Sequence, residues 1–138
     1  MLLMPDSPLH SALSKVGDRW TLLVIEALLN GAARFGDLEQ TVTGIAPNTL
    51  SSRLRALEAD GLVVATAYSE RPLRYEYNLT VAGKDLAGAI RMLTAWGAAH
   101  SDEAEVPRHG LCGTALEVRW YCPTCDRQAS EDEEAWEF

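Results

Sequence analysis

The chain has 138 residues, 47% hydrophobic and 23% charged, with a formal net charge of −8; this is the make-up of one soluble domain with a small appendage, and it excludes a collagenous or wholly disordered chain. No stretch approaches the roughly 18 unbroken apolar residues of a membrane span, and the opening Met-Leu-Leu-Met is too short and lacks the basic flank of a signal peptide, so a cytoplasmic protein without membrane contact is expected. Residues 1–99 carry 10 acids and 9 bases while 100–138 carry 10 acids and 3 bases, so the acidity belongs to the tail and the body remains free to present a local basic surface.

Ser7 as a cap, Pro8 in the first turn and Leu9, Ala12, Leu13 and Val16 at helical spacing predict an amphipathic helix with one buried face, ending at Gly17. Asp18 is placed to cap a second helix, whose apolar residues from Trp20 to Leu29 run nearly all the way round and mark it as central to the core. Phe35, Leu38 and Val42 share a face of a short third helix. Thr43-Gly44 turns the chain, and Pro47 opens a longer helix with Leu50, Leu54 and Leu57 inward and a stop at Gly61. Short helix, tight turn, longer helix is a helix-turn-helix outline, though many small helical proteins contain such a corner.

Leu62 to Tyr68 is rich in Val, Ala, Thr and Tyr, residues 69–73 read as a loop, and Arg74 to Leu79 alternates at period 2, so a β-hairpin, or wing, follows the long helix. Thr80 is placed to cap a last long helix running to about His100, with Leu86, Ile90, Leu93 and Trp96 along one stripe. The expected organisation is a body over 1–100, a polar linker over 101–107, a cysteine-bearing module over 108–127 and an acidic end over 128–138. There is no internal repeat.

Three constellations carry chemistry. Opposite the leucine face of the Pro47 helix lie Asn48, Ser52 and Arg55, flanked by Thr49, Ser51 and Arg53. Asn pairs with adenine, Arg with guanine or phosphate, and Ser or Thr with either, so this set suits a major groove; on residue types alone an ordinary solvated helix face accounts for it at least as well. Arg71 and Arg74 flank Pro72 at the wing tip, where they could clamp phosphate or enter a minor groove, or instead pair with Glu70 or Glu76. Arg53 could also pair with Asp37 or Glu39. Tyr75 and Tyr77 share a strand face and read as core packing.

The third is His109, Cys112, Cys122 and Cys125: two donor pairs of two-residue spacing with nine residues between them. Tetrahedral Zn2+ needs such pairs, because each tight turn brings two donors to one ion, and Gly113 follows the first as a turn residue; Thr114 to Tyr121 reads as strand-like, as in a miniature zinc ribbon. The alternatives are a redox-active Cys122/Cys125 pair or incidental thiols. Three cysteines cannot all close into internal disulfides. No phosphate loop, nucleophile elbow or His-Glu-x-x-His helix is present, and His10 and His100 read as surface residues, so no enzyme is expected.

The segment from Ser7 to about His100 resembles the HxlR-type winged helix-turn-helix transcriptional regulators, relatives of the MarR group. The landmarks are Val16 to Leu23 (VGDRWTLL), Arg34 to Leu38 (RFGDL), Ile45 to Leu50 (IAPNTL), Arg53 to Leu62 (RLRALEADGL) and Tyr75 to Thr80 (YEYNLT). The resemblance implies a homodimer on operator DNA, with the Pro47 helix in the major groove, the wing at the minor groove and the terminal helices forming the dimer. Members often carry Cys-Pro thirteen residues before the tryptophan, a cysteine that in some senses oxidants or electrophiles. Ser7 stands there in this chain, so that device is lacking.

The sequence therefore predicts an α+β, mostly helical fold: a winged helix-turn-helix with a small C-terminal zinc ribbon, DNA contacts through Asn48, Thr49, Ser51, Ser52, Arg53, Arg55, Arg71 and Arg74, a structural Zn2+ on His109, Cys112, Cys122 and Cys125, and self-association through Leu9, Leu86, Ile90, Leu93 and Trp96. The rival readings are a winged-helix protein-interaction module, which the acidic tail would suit, and a thiol-disulfide protein.

Overall fold

The computed structural model describes residues 7–102 and 105–130, and the chain divides into two compact units, residues 1–90 and 91–138. The expected acidic end over 128–138 lies outside the described residues from 131 on, as does part of the linker. Among the described residues no helix is long and apolar enough to cross a membrane.

In the first unit, α1 (Pro8–Val16) is capped by Ser7, whose Oγ accepts from the His10 amide at 3.1 Å. Its predicted buried face is not buried: only Val16 reaches the core, while Leu9 and Leu13 are exposed. The helix has the amphipathic pattern, but among the described residues nothing covers most of its apolar side. Helix α2 (Thr21–Leu29) buries Thr21, Val24, Ile25 and Leu28 at the centre of the unit, yet Leu23 and Glu26 stay exposed, so it is enclosed on one side only.

A two-residue strand, β1 (Ala33–Arg34), leads into α3 (Phe35–Thr41), where the Asp37 carboxylate accepts from the Arg34 amide at 3.0 Å and so fixes the first turn. The turn to the next helix passes through Gly44 at φ +84, a left-handed conformation that favours glycine. Helix α4 (Pro47–Ala59) opens on its proline and buries Leu50, Leu54 and Leu57, each at most 1% exposed. Full burial of a leucine contributes about 1.5–3 kcal/mol, enough in sum to fix which face of α4 points outward.

Strands β2 (Val63–Glu70) and β3 (Leu73–Leu79) pair antiparallel from Val63 opposite Leu79 to Glu70 opposite Leu73, and β1 adds to the other edge of β3, giving the order β1-β3-β2. The expected loop over 69–73 shrinks to Arg71 and Pro72, because the ladder resumes at Ser69 after an irregularity between Ala67 and Ser69. Tyr77 packs against the core, but Tyr75 is exposed, contrary to the packing expected for both.

The long final helix is two: α5 (Val81–Lys84) and α6 (Ala87–Ala99). Thr80 caps the first, as expected, through a 3.1 Å bond from the Gly83 amide. The break at Asp85–Leu86 lets the short α5 sit against the end of β3 while Leu86 and Ile90 turn into the core. Ile90 is the last residue of that core and of the first unit.

In the second unit, β4 (Trp120–Cys122) and β5 (Arg127–Ala129) form a short hairpin, and a bridge between Arg108 and Ala115 closes another. The expected strand over 114–121 forms only at its end, since among the described residues no partner strand faces 116–119.

Candidate nucleic-acid interface

Burying the three leucines of α4 leaves Asn48, Ser52 and Arg55 exposed and Thr49 and Ser51 half-buried at the flank. Arg55 lies close enough to Tyr77 to act on its hydroxyl: burial and the nearby charges of Glu58 and Tyr75 raise the Tyr77 pKa, and Arg55 opposes them. Among the described residues no ion pair joins Arg55, Arg71 or Arg74 to an acid, so the pairing of the wing arginines with Glu70 or Glu76 is not formed. Both wing arginines are exposed, and the Ser69 hydroxyl braces the tip by donating to the Pro72 carbonyl at 2.8 Å.

Arg53 is different. Its Nε is buried without a hydrogen bond and stands 3.4 Å from Asp18 Oδ1, an ion pair with neither of the acids expected, Asp37 and Glu39. Asp18 itself accepts from the Trp20 and Thr21 amides at 2.9 and 3.1 Å and from the Thr21 hydroxyl, which together close the turn leading into α2. Burial pushes its carboxyl upward, but these bonds and the Arg53 charge outweigh it and hold the pKa below the ordinary value. With its Nε so placed, Arg53 has the structural role of an ion pair, with a partner that the sequence did not indicate.

The sequence also passed over Arg34. Its guanidinium lies 4.1 Å from the Tyr68 ring centre, and Arg34, Phe35, Tyr68 and Arg74 line one groove between the start of α3 and the wing. Its place just before Phe35 in a helix-turn-helix outline was the available signal.

Of the five residues expected at a dimer face, Leu86 and Ile90 pack into the core of the chain itself. Leu9, Leu93 and Trp96 are 67%, 54% and 65% exposed. Trp96 stacks on His100 at 4.6 Å between ring centres.

In the second unit the four expected metal ligands stand as two pairs. His109 Nδ1 lies 3.3 Å from Cys112 Sγ, and Cys122 and Cys125 are hydrogen-bonded to each other. Hydrogen bonding with the Thr114 side chain and amide, then with His109, brings the Cys112 thiol pKa down to about 7. None of the cysteines is in a disulfide, and among the described residues no three His, Cys, Asp or Glu side chains come together as a metal-binding group.

The family model described as HxlR-like helix-turn-helix matches residues 15–105. The chain belongs to this family. An HTH-type transcriptional regulator of Mycobacterium tuberculosis is 43% identical over 121 residues, covering 85% of this chain and 76% of the relative. A match of that extent cannot fit within residues 1–105, so it runs into the cysteine-bearing unit. Among solved structures, a MarR-family regulator of Porphyromonas gingivalis is similar with a TM-score of 0.64 at 28% identity, covering 70% of this chain and 95% of the other. The redox regulator HypR in its oxidized form also gives a TM-score of 0.64, at 29% identity over 70% of this chain and 99% of HypR. The HxlR-like chain is thus a transcriptional regulator of the helix-turn-helix type with an α+β winged-helix fold.

Proposed function

We propose that this HxlR-like regulator acts in the cytoplasm as a homodimer that binds operator DNA, with α4 in the major groove and the β2–β3 wing at the minor groove. The observation that carries the reading is the outward face of α4, where Asn48, Ser52 and Arg55 stand exposed opposite a fully buried leucine face. A base-reading helix needs short hydrogen-bonding side chains and a guanidinium free of intramolecular partners. Arg71 and Arg74 supply cations at the wing, and Arg34 adds a third near its root. Arg53 pairs with Asp18 from the flank of α4.

Self-association is supported by the exposed apolar side chains of α1 and α6, and a two-fold pair of recognition helices would read half-sites about one helical turn apart. The role is binding and not catalysis. A gel shift with the DNA upstream of its own gene, against scrambled DNA of equal length, tests the reading. Binding at least about a thousandfold tighter to one of these is expected of a specific regulator; equal affinity for both across salt concentrations would refute it and favour a protein-interaction module.

A further inference from the structure

Residues 105–130 hold a specific backbone without a hydrophobic core. No described side chain among them is buried; Leu111 is 92% exposed, and Leu116, Val118, Trp120 and Tyr121 are exposed as well. Ordering each residue costs conformational entropy that apolar burial on this scale does not offset. The two donor pairs sit on the same local motif. His109 and Cys112 are followed by Gly113 at φ +71, and Cys122 and Cys125 by Asp126 at φ +52, the one positive-φ non-glycine among the described residues. A turn ending in the left-handed region aims successive amides at one point, a cradle for an anionic ligand. Here the Thr114 amide is hydrogen-bonded to the Cys112 sulfur, and the Thr124 and Cys125 amides to the Cys122 sulfur.

We propose that His109 through Nδ1, together with Cys112, Cys122 and Cys125, binds one structural zinc ion that draws the two turns onto a shared centre. The 3.3 Å between His109 Nδ1 and Cys112 Sγ is already close to ligand spacing: a nitrogen and a sulfur on tetrahedral zinc, at bond lengths of about 2.0–2.1 and 2.3 Å, lie roughly 3.6 Å apart. The nine residues between the pairs extend far enough to turn out and back, at about 3.3 Å per residue. Three thiolates and one imidazole select zinc over the harder divalent cations. With every position filled by protein, the ion has no open site for chemistry. On binding, each cysteine releases its thiol proton to solvent and His109 binds as neutral imidazole, with no change of oxidation state. The similarity to the mycobacterial regulator extends into this unit, as expected of a built module. The inference is independent of the DNA reading.

The test uses the full chain, purified under reducing conditions. One zinc per chain is expected by elemental analysis, falling to none in Cys112→Ser and in Cys122→Ser while the body keeps its helical circular dichroism. Cobalt in place of zinc should give the intense visible absorption of a tetrahedral site and a thiolate charge-transfer band, both altered in His109→Ala. Thr114→Val keeps all four ligands but removes the hydroxyl bonded to Cys112; loss of such an outer partner should weaken zinc binding about tenfold to a hundredfold. Chelation should expose residues 105–130 to protease and leave the first unit protected. Zinc retained at one per chain in both cysteine variants, a metal-free reduced chain with an equally protected tail, or a Cys122–Cys125 disulfide trapped from cells would each overturn the proposal. An unchanged cobalt spectrum in His109→Ala would overturn the place of His109 in it.

Discussion

Arg53 on the flank of α4 and Asp18 at the entry to α2 meet with Nε and Oδ1 3.4 Å apart, so the helix proposed to read bases is tied to the turn that starts the central helix of the core. Asp18 carries more of this arrangement than Arg53, because it also holds the Trp20 and Thr21 amides and the Thr21 hydroxyl. Although Trp20 and not the expected Asp18 is the N-cap residue of α2, Asp18 holds the amides at its entry, so Asp18→Ala should cost about 1–2 kcal/mol of stability, comparable to a lost cap. Arg53→Ala should cost less, about 0.2–1 kcal/mol for a partly exposed ion pair. Urea unfolding measures both, and an Asp18→Ala midpoint equal to that of the parent would contradict the account.

The same carboxylate sets a pH dependence. Burial raises the Asp18 pKa, and four interactions, with the Thr21 hydroxyl, the Trp20 and Thr21 amides and the Arg53 charge, outweigh it for a net fall below 3.8. A carboxyl depressed in the folded state adds stability that is present above its unfolded value and lost as pH falls through the folded one. The stability gap between the parent and Asp18→Asn should be full near neutral pH and close below about pH 3.8. Denaturant melts at both ends of that range check it; a gap that widened in acid would reverse the sign.

On DNA the arginines should separate by role. Arg71→Ala with Arg74→Ala removes two exposed cations, so the slope of log affinity against log salt should fall by about two, alike for operator and random DNA. Arg55→Ala should cost about 1–3 kcal/mol and, if it contacts a base, relax the preference at one position. Arg53→Ala should change the salt slope little, since its Nε is buried beside Asp18. Salt titrations of the three variants side by side decide; a full unit of slope lost from Arg53→Ala would return it to the phosphate contacts.

Much of this was legible because local pattern and burial agreed. The leucines of α4 at helical spacing, the caps at Ser7 and Thr80, and the alternation of β3 each carry their own signal, and the structure places them so. What was hidden depended on distant partners. A two-residue strand such as β1 has no periodicity to read, and it forms because Tyr77 and Glu76 lie opposite Ala33 and Arg34. The break between α5 and α6 interrupts a continuous helical pattern, just after α5 packs Gly83 against the Leu62 carbonyl. The Asp18 partner of Arg53 lies in another helix entry, beyond any spacing rule. The leucines of α1 misled in the opposite sense, since amphipathic pattern tells that a face wants cover but not which chain supplies it.

Gly83 marks that packing at Leu62. A Cβ built there would stand 2.2 Å from the Leu62 carbonyl oxygen, a backbone atom held by bonds from the Thr80 amide at 3.0 Å and next to Gly61, whose carbonyl accepts from the Thr80 hydroxyl at 2.6 Å. The neighbour cannot swing aside as a flexible side chain would. Gly83→Ala should destabilise by about 1–3 kcal/mol, the cost of forced overpacking. Gly88→Ala, where nothing lies within 4 Å of the added atom, is the matched control and should be neutral or mildly stabilising. Equal thermal midpoints for the two variants would show that α5 does not press on Leu62 in solution.

The apolar faces of α1 and α6 give the last expectation. Leu9 and Leu93 are more than half exposed in the chain alone, and each would be covered in a homodimer formed by these helices. Covering a leucine contributes about 1.5–3 kcal/mol, and two-fold symmetry counts each substitution twice. Leu93→Glu should therefore weaken the dimer by about 3–6 kcal/mol, roughly a hundredfold to ten-thousandfold in dissociation constant. Leu73 provides the control, because it is equally exposed but sits on the wing beside the tip. Leu73→Glu should leave the oligomeric state alone and weaken DNA binding, by setting a negative charge near Arg71 and Arg74. Sedimentation at micromolar concentration distinguishes them: a Leu93→Glu variant and a Leu9→Glu variant that both sediment as dimers would move the interface off these helices, and a parent chain that sediments as a monomer while binding its operator as one copy would remove the dimer altogether.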